Sequence, residues 1–214
     1  MVQIRRYEAR DRSAVRQLAC DTAARGEPVE QFFRDRDVFA DVLLRYYMEW
    51  ESSSLWVAEA GSDVVGYLTG CLDTRRYECV MRRSILPAAG LRALGRGVLC
   101  HRETWRLAWA GLRTLHLAGR RRERWGTAYP AHFHVNLHRE ARGQGIGERL
   151  VAQFLHHAQT TRCLGVHVGV RSDNPSACRF FERLEFVILK RRPTVFPDGS
   201  VLSRRETIVY GRTL

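Results

Sequence analysis

The sequence predicts a mixed α/β domain, and three observations support that fold class. Strand-like and helix-like hydrophobic patterns follow one another as βααββ, then a basic helical segment, then βαβαββ. The 214 residues are 45% hydrophobic and 27% charged, which is ordinary for one globular domain with a full core. A glycine-rich turn, RGQGIG at residues 142–147, joins a strand pattern to an apolar helix. We therefore expect residues 1–214 to form a single domain.

The first half of the chain begins with a strand pattern, Val2–Arg6, and continues into two helices. A capping residue at position 11 precedes apolar residues at 14, 15, 18 and 19, which is a helical spacing. A second helical pattern runs from about Val29 to Trp50. The runs Leu55–Ala58 and Val64–Leu68 are rich in β-formers and enclose a Gly-Ser-Asp turn, so they predict a hairpin.

The second half starts with a basic segment, residues 82–124, that predicts an amphipathic helical insert. Its leucines and tryptophans recur at steps of three, four or seven, with breaks expected near Gly95, Gly97 and Gly111. Beyond it the pattern predicts two strands, a short helix and two final strands that are joined by a turn at 197–200. The strands are Ala131–Leu137, Gly165–Val170, Phe186–Lys190 and Thr207–Tyr210, and the helix is Asn174–Leu184.

The net charge is +12, and most of it lies in the insert. Between residues 82 and 124 there are 11 arginines and two glutamates, which gives this segment +9. One interpretation is an electrostatic patch for an acidic partner such as nucleic acid or an anionic membrane surface. The other, which we favour, is a helical lid or homodimer contact in which Trp105 and Trp109 pack inward and the arginines are solvated.

Targeting and cysteine patterns favour a cytoplasmic protein. No apolar run approaches the roughly 20 residues of a membrane span, and the N-terminus enters a strand pattern without a signal-like segment. The six cysteines are scattered and form no Cys-x-x-Cys pair. We expect reduced, mostly buried thiols rather than disulfides or a zinc site, and no metal.

The glycine-rich turn is suited to an anionic ligand. A turn that opens a helix exposes unpaired backbone N–H groups at the positive end of the helix dipole, and Arg142 adds a forked cation. A nucleotide P-loop requires a lysine that is absent here, and a dinucleotide fingerprint requires glycine where Glu148 stands. A plain turn before a surface helix is the remaining alternative. Taken alone, the turn predicts an anion site without naming the anion.

Two motifs in order resemble the GNAT superfamily of acyl-CoA-dependent N-acetyltransferases. Arg-x-x-Gly-x-Gly after a strand is similar to the loop that holds the coenzyme A pyrophosphate, and the segment from Asn174 to Phe186 is similar to the superfamily's Asn-x-x-Ala helix. The resemblance implies a mostly antiparallel sheet that is split at the cofactor site, with the insert added. It also implies transfer of an acetyl group from acetyl-CoA, or another acyl-CoA, to a primary amine by direct attack in a ternary complex.

The superfamily's use of these motifs carries over to the matching positions. The strand before the loop would pair with the pantetheine arm, the loop amides would hold the pyrophosphate, and Asn174, also a natural helix N-cap, would bond the pantetheine. The resemblance thus implies the following cofactor-binding residues: Val135, Asn136, Leu137, Arg142, Gly143, Gln144, Gly145, Ile146, Gly147, Glu148 and Asn174.

The chain departs from the superfamily's pattern at two positions of the late helix. Many members have a tyrosine there that protonates the departing thiolate, but the matching residue is Phe181, and the usual glycine is Glu185. A thiolate whose thiol has a pKa near 8.5 can leave without that acid. The alternative is a catalytically weak or inert acyl-CoA-binding module.

Two histidines in the strand before the loop are the candidate catalytic residues. His132 and His134 are two apart, so both project from one face, and imidazole suits proton removal near neutral pH. Their Ala-His-x-His context resembles the catalytic strand of arylalkylamine N-acetyltransferases and that of bacterial relatives of the acetyltransferase-like domain of O-GlcNAcases. Hydrogen-bonded core histidines, or a metal site with His138, are the alternatives. We expect His134 to matter most, as general base.

The acceptor site is expected between the first two helices, the hairpin and the late strands. Its aromatic candidates either line an acceptor site or, as we favour, pack the core; they are Phe32, Phe33, Tyr46 and Tyr47. The basic surface argues against a cationic acceptor such as a lysine tail. The second helix is nevertheless locally acidic, with Asp35, Asp37, Asp41 and Glu49.

Overall fold

A computed structural model describes residues 1–24, 26–118, 125–198 and 201–214. The strands are β1 Val2–Arg6, β2 Leu55–Ala60, β3 Asp63–Cys71, β4 Ala131–Leu137, β5 Gly165–Arg171, β6 Val187–Asp198 and β7 Val201–Thr213. The helices are α1 Arg12–Asp21, α2 Arg36–Glu49, α3 Thr74–Val80, α4 Leu86–Gly95, α5 Arg102–Ala118, α6 Trp125–Ala128, α7 Ile146–Thr160 and α8 Pro175–Arg183. This order confirms the predicted mixed α/β fold class.

The strands form one sheet in the order β1-β2-β3-β4-β5-β7-β6. All of its described pairings are antiparallel except β4–β5, which is parallel and contains two residue pairs, Ala131–Val166 and His132–His167. Beyond His132, the described part of β4 has no strand partner on that side. The sheet is therefore mostly antiparallel and splits between β4 and β5, as the resemblance implied.

Helices cover both faces of the sheet. On one face α7 and α8 pack with Phe133, Phe154 and Phe181. On the other face α1 and α2 pack on β2 and β3 around Leu18 and Leu44. Alternation along β4 consequently buries Phe133 on the α7 side and directs its neighbours, the two histidines, to the α1/α2 side.

The helical insert is longer than the predicted 82–124. Helix begins at Thr74 in α3 and passes through a π-turn at Met81–Ile85 into α4; α5 and α6 follow as separate helices, and α6 ends at Ala128. Gly97 has φ +67° after α4, so the break expected there is present, whereas Gly111 lies inside α5. The early start follows from Asp73, whose carboxylate accepts the amides of residues 75 and 76 and so caps α3.

Other boundaries also differ from the prediction. Val29–Gln31 is a short 3-10 turn, and α2 begins only at Arg36 because the Asp35 side chain accepts the amide of Val38. The two final strands have 12 and 13 residues and so extend well beyond the apolar cores that predicted them, since arginine-rich stretches on both strands also pair. Of the turn predicted at 197–200, residues 199 and 200 lie outside the described residues.

The prediction that the insert's tryptophans pack inward is wrong. Trp105 and Trp109 are 54% and 59% exposed. The inward face of α5 instead carries Leu107, Ala110 and Thr114, and the Thr114 hydroxyl accepts the amide of Val195 at 2.9 Å. This face packs against β6, which leaves the tryptophans outside.

All six cysteines are free thiols, as expected, but only Cys20 and Cys71 are buried. The expectation that most of them are buried is therefore wrong. In the described part of the chain, no helix is long and apolar enough to cross a membrane.

Candidate active site at the split of the sheet

The glycine-rich turn places a helix N-terminus beside the open edge of β4. Gly143 and Gly145 have φ +74° and +73°, a left-handed conformation that favours glycine, and Gly145 is the N-cap of α7. The amide of Arg149 donates to the Gly145 carbonyl at 3.1 Å as the helix begins. The amides before Arg149 therefore have no acceptor within the helix and are available to an anion.

The three glycines of the turn differ in their surroundings. A Cβ at Gly143 or Gly145 would meet no atom within 4 Å, whereas a Cβ at Gly147 would lie 3.4 Å from the Phe180 ring. The first two glycines thus face open space where a ligand can approach the backbone. Gly147 instead allows α7 to pack closely against α8.

Arg142 lies at the end of β4 and not over the turn. Its guanidinium donates to the Leu137 carbonyl from Nη2 at 3.1 Å and from Nε at 3.3 Å. The connection between α1 and α2 covers it, because a Cβ at Gly26 would be 2.6 Å from Arg142 Nη2. Nearby, Arg139 forms an ion pair with Glu27 at 2.9 Å. The α1–α2 connection therefore borders the candidate cofactor site.

The β4 residues with expected main-chain roles are half-buried and keep one edge open. Val135, Asn136 and Leu137 pair with Leu68, Tyr67 and Gly66 of β3, and no described strand pairs with their other edge. The Asn136 amide donates to the Tyr67 hydroxyl at 2.8 Å. That side chain is thus engaged within the protein, while the backbone edge toward the cleft is free to bind an extended ligand.

Asn174 caps α8. Its Oδ1 accepts the amide of Ala177 at 3.1 Å, so the N-cap role named in the sequence argument is present. The Nδ2 group of an amide that caps in this way still has two donors. Capping and contact with a ligand in the cleft are therefore compatible.

Hydrogen bonds engage both ring nitrogens of His132. Thr74 Oγ1 donates to the Pro130 carbonyl at 2.7 Å and lies 2.7 Å from His132 Nδ1. Because that hydroxyl has one proton, Nδ1–H is the donor and Thr74 the acceptor, and Nε2 accepts from the Tyr47 hydroxyl at 2.9 Å. Burial, then the neighbouring His134 and His167, lower the pKa of His132 well below its ordinary value. His132 is a neutral, fully engaged imidazole.

His134 has the opposite character. Its ring centroid lies 6.0 Å from that of His132, which confirms that the two share a face, but no group in the described residues hydrogen-bonds its ring. One edge of the ring is exposed, although burial of the remainder and the charge of His167 lower its pKa. Water at that edge opposes the shift. His134 is a neutral imidazole that is partly exposed.

The structure adds residues that the sequence argument missed. His167 on β5 lies opposite His132, with ring centroids 5.6 Å apart, and its Nδ1 lies 2.8 Å from the Tyr129 carbonyl. A histidine between two valines of a strand was a visible signal. Thr74 and Tyr77 gave none, because they reach this cluster from the start of the insert. Tyr77 stacks on Tyr47 with ring centroids 5.7 Å apart, and burial raises the pKa of both phenols.

The expected acceptor residues mainly serve the core. The aromatic side chains at 32, 33, 46 and 47 are all buried, as favoured. The acidic patch of α2 is neutralised by arginines: Asp41 accepts Arg16 and Arg92 at 2.6 Å each, and Asp35 accepts Arg96 at 2.6 Å. A described cavity of about 660 Å³ beside α1 and the start of α2 is lined by the Asp35–Arg96 pair and by Arg16, and by none of the predicted catalytic or cofactor-binding residues.

Phe181, at the position of the superfamily's acid, is 4% exposed and lies in an aromatic cluster with Phe133, Phe186 and Tyr210. A phenylalanine there cannot donate a proton. Among the described residues, no group of three or more His, Cys, Asp or Glu side chains has the arrangement of a metal site, including the histidines at 132, 134 and 138.

A mostly antiparallel sheet that splits beside a helix N-terminus with an arginine-glycine turn is the architecture of acyl-CoA-dependent N-acyltransferases. The family model for the acetyltransferase (GNAT) family matches residues 17–186. The chain belongs to this family and is an acyltransferase.

Solved structures agree on the fold. SsHAT is 23% identical, with a TM-score of 0.70, and the match covers 99% of this chain and 98% of SsHAT. The N-acetyltransferase from Staphylococcus aureus Mu50 is 11% identical with a TM-score of 0.60, covering 100% and 98%. YncA, a putative acetyltransferase from Salmonella typhimurium with its cofactor acetyl-CoA, is 15% identical with a TM-score of 0.59, covering 100% and 94%.

Proposed function

We propose that this protein transfers an acetyl group from acetyl-CoA to a primary amine by direct attack in a ternary complex. The observation that carries the proposal is the juxtaposition of two features at the split of the sheet. One is the open helix N-terminus at Gly143–Gly147, and the other is His134, a neutral imidazole without a partner in the described residues. The first suits a pyrophosphate and the second suits proton removal from an amine.

The residues present fit acetyl-CoA, because the turn leaves open space above two glycines and the β4 edge is unpaired. The edge at Val135–Leu137 would pair with the pantetheine arm, Asn174 would donate to it, and the amides from Arg142 to Glu148 would hold the pyrophosphate. Arg142 would exchange the Leu137 carbonyl for a phosphate oxygen. When bound, acetyl-CoA supplies the thioester carbon that the amine attacks.

His134 would remove the amine proton, and His132 would position His134. A carbon–nitrogen bond forms, the carbon–sulfur bond breaks, and the products are an N-acetyl amine and free coenzyme A thiol. His132 has both nitrogens engaged, so it holds the strand while His134 faces the cleft. With Phe181 in the place of the acid, water would protonate the thiolate.

Thiol release in a panel of primary amines tests this function, with neutral and anionic amines included because the surface is basic. His134→Ala should lower kcat/KM about 100-fold or more, the usual contribution of a general base. It should leave the acetyl-CoA thermal shift unchanged. The exposed His156→Ala is the matched control. A thermal shift with acetyl-CoA but no thiol release from any amine would instead identify the alternative, a catalytically inert binding module.

A second function, docking on an acidic partner, is favoured by one observation on α5. Trp105, Trp109 and Leu112 recur at steps of four and three, so they form one stripe, and they are 54%, 59% and 60% exposed. Monomeric proteins rarely expose such a patch without an interaction. Three arginines lie beside the stripe, about 60–100° around the helix from Trp105. These are Arg102, Arg106 and Arg113, and none of them forms a salt bridge among the described residues, since Glu103, the carboxylate near Arg106, is paired with Arg34.

We assign this surface, the α5 stripe, to an anionic membrane. Tryptophan and leucine beside arginines are typical of helices that lie in the membrane interface, and each arginine near an anionic surface contributes about 1 kcal/mol. A second copy of the chain would bring like charges together. Nucleic acid would stack on the tryptophans but would leave leucine without a suitable contact.

Vesicle co-sedimentation tests the assignment. The protein should bind vesicles that contain phosphatidylserine and not neutral ones, with binding that weakens as salt rises. Trp105→Ala with Trp109→Ala should abolish binding, whereas Leu164→Ala, at another exposed leucine, should not. The protein could instead sediment as a dimer, become monomeric in the double variant and not bind vesicles. That result would support the expected homodimer and overturn the membrane assignment. Binding to nucleic acid alone would also overturn it.

A further inference from the structure

Thr69 of β3 carries a buried hydroxyl without a hydrogen-bond partner. The residue is 1% exposed, and no group in the described structure lies in hydrogen-bonding geometry to its Oγ1. Burying a hydroxyl without a partner costs free energy, on the order of 1–3 kcal/mol in proteins. In a family of enzymes whose cleft binds ligands, an unpaired buried hydroxyl indicates a hydrogen bond that forms in another state of the site, such as the ligand-bound state.

The group that Thr69 faces is His134. The two residues are directly paired in the antiparallel β3–β4 ladder, and paired residues project from the same face with Cβ atoms about 4.5–5.5 Å apart. The neighbouring pairs confirm this register, because Tyr67 and Asn136 are paired and their side chains hydrogen-bond at 2.8 Å. Thr69 therefore lies beside the one cleft histidine whose ring is unbonded.

The adjacent histidine shows how a threonine serves an imidazole in this sheet. His132 Nδ1–H donates to the Thr74 hydroxyl, which leaves Nε2 as the acceptor. His134 needs the same arrangement to act as a base, since one nitrogen must hold the proton while the other stays free. In the described structure no group fixes which nitrogen that is.

We propose that the Thr69 hydroxyl is a positioning partner of His134: it accepts one ring N–H and holds the other nitrogen toward the acceptor amine. A side-chain rotation of His134, whose outer edge is unconstrained, brings the two groups together. The bond satisfies both unpaired groups at once. This inference rests on the proposed function, because it assigns Thr69 a part in the base role of His134.

Thr69→Val and Thr69→Ser test the proposal as a matched pair. Valine keeps the shape of threonine and removes the hydroxyl. The value of kcat/KM should therefore fall about tenfold, which is the rate change that corresponds to the net free energy of one hydrogen bond. Affinity for acetyl-CoA and the melting temperature should not decrease. Serine keeps the hydroxyl and should retain activity within about threefold. In the His134→Ala background, Thr69→Val should have no further effect, because the two residues act as one unit.

The 15N chemical shifts of the His134 ring, recorded with coenzyme A bound, provide a readout without activity. The wild type and Thr69→Ser should show one dominant tautomer, and Thr69→Val should show a mixture. Identical ring shifts in all three proteins would overturn the proposal even if the enzyme is active. If the ring shifts are as expected but the protein acetylates no amine, the contact between Thr69 and His134 is supported and the proposed function fails.

Discussion

The Tyr47 hydroxyl lies 2.9 Å from His132 Nε2, and this bond joins α2 to the cleft strand β4. On the other side of the ring, Nδ1–H donates to the hydroxyl of Thr74, which is the first residue of the insert. His132 therefore ties three elements together at the last β4–β5 residue pair before the sheet splits. Both ring nitrogens of His132 are therefore engaged, whereas the ring of His134, two residues further on, has no hydrogen-bond partner among the described residues.

Tyr47→Phe should destabilise the protein by about 1–3 kcal/mol, because it leaves the buried His132 Nε2 without a donor. The ring would remain packed, so the change isolates the hydroxyl. Tyr129→Phe is the control, since its hydroxyl makes only a 3.5 Å contact with Thr213. Chemical denaturation of both variants measures the difference, and equal stability of the two would show that the Tyr47–His132 bond contributes nothing.

Stability should fall as the pH drops from 7 toward 5. Burial lowers the pKa of His132 in the folded state, so below about pH 6.5 the unfolded chain binds a proton that the folded protein does not. Linkage then reduces the free energy of unfolding by up to about 1.4 kcal/mol per pH unit for one such group. The folded pKa of His134 is also lowered, which acts in the same direction.

Replacing His132 removes this proton-binding difference. His132→Asn should therefore flatten the pH dependence of stability between pH 7 and 5, even though it lowers stability at pH 7. The exposed His156→Asn should leave the slope unchanged. Thermal melts at four or five pH values suffice. A His132→Asn protein with the same slope as the wild type would contradict the assignment of a neutral, buried imidazole.

Local periodicity predicted what lies within one element, and failed where distant elements meet. The two-residue period of β4 placed His132 and His134 on one face correctly, and the glycine spacing located the start of α7. The partners of His132 lie 58 and 85 residues away in sequence, so no local pattern indicates them. Opposite faces of α5 both carry apolar residues at helical spacing, so the sequence did not reveal that Leu107 packs inward and Trp105 outward.

The insert is held on α2 through Asp41, whose carboxylate accepts Arg16 of α1 and Arg92 of α4. Asp41→Asn should cost roughly 1–3 kcal/mol, since the two guanidinium groups lose a shared and mostly buried partner. Asp37→Asn is a matched control: Asp37 contacts the same two arginines at 3.3 and 3.8 Å but is half exposed. Its effect should stay below about 1 kcal/mol. Similar losses in urea unfolding for both variants would contradict this difference.

Gly145 is the position at which backbone conformation and cofactor binding can be separated. Its φ of +73° makes any side chain there strained, and the side chain would also enter the open space above the turn. Gly145→Ala should therefore lower stability by about 1 kcal/mol and weaken acetyl-CoA binding at least tenfold, because the methyl group hinders close approach of an anion to the amides.

Gly61 provides the control for the strain alone. It has φ +65° in the β2–β3 turn, and a Cβ there would also meet no atom within 4 Å. Gly61→Ala should show a similar loss of stability, since the backbone penalty is the same, with no change in affinity for acetyl-CoA. Calorimetric titration and thermal melts of both variants measure the two effects. If Gly145→Ala bound acetyl-CoA as tightly as Gly61→Ala, the turn before α7 would not hold the pyrophosphate.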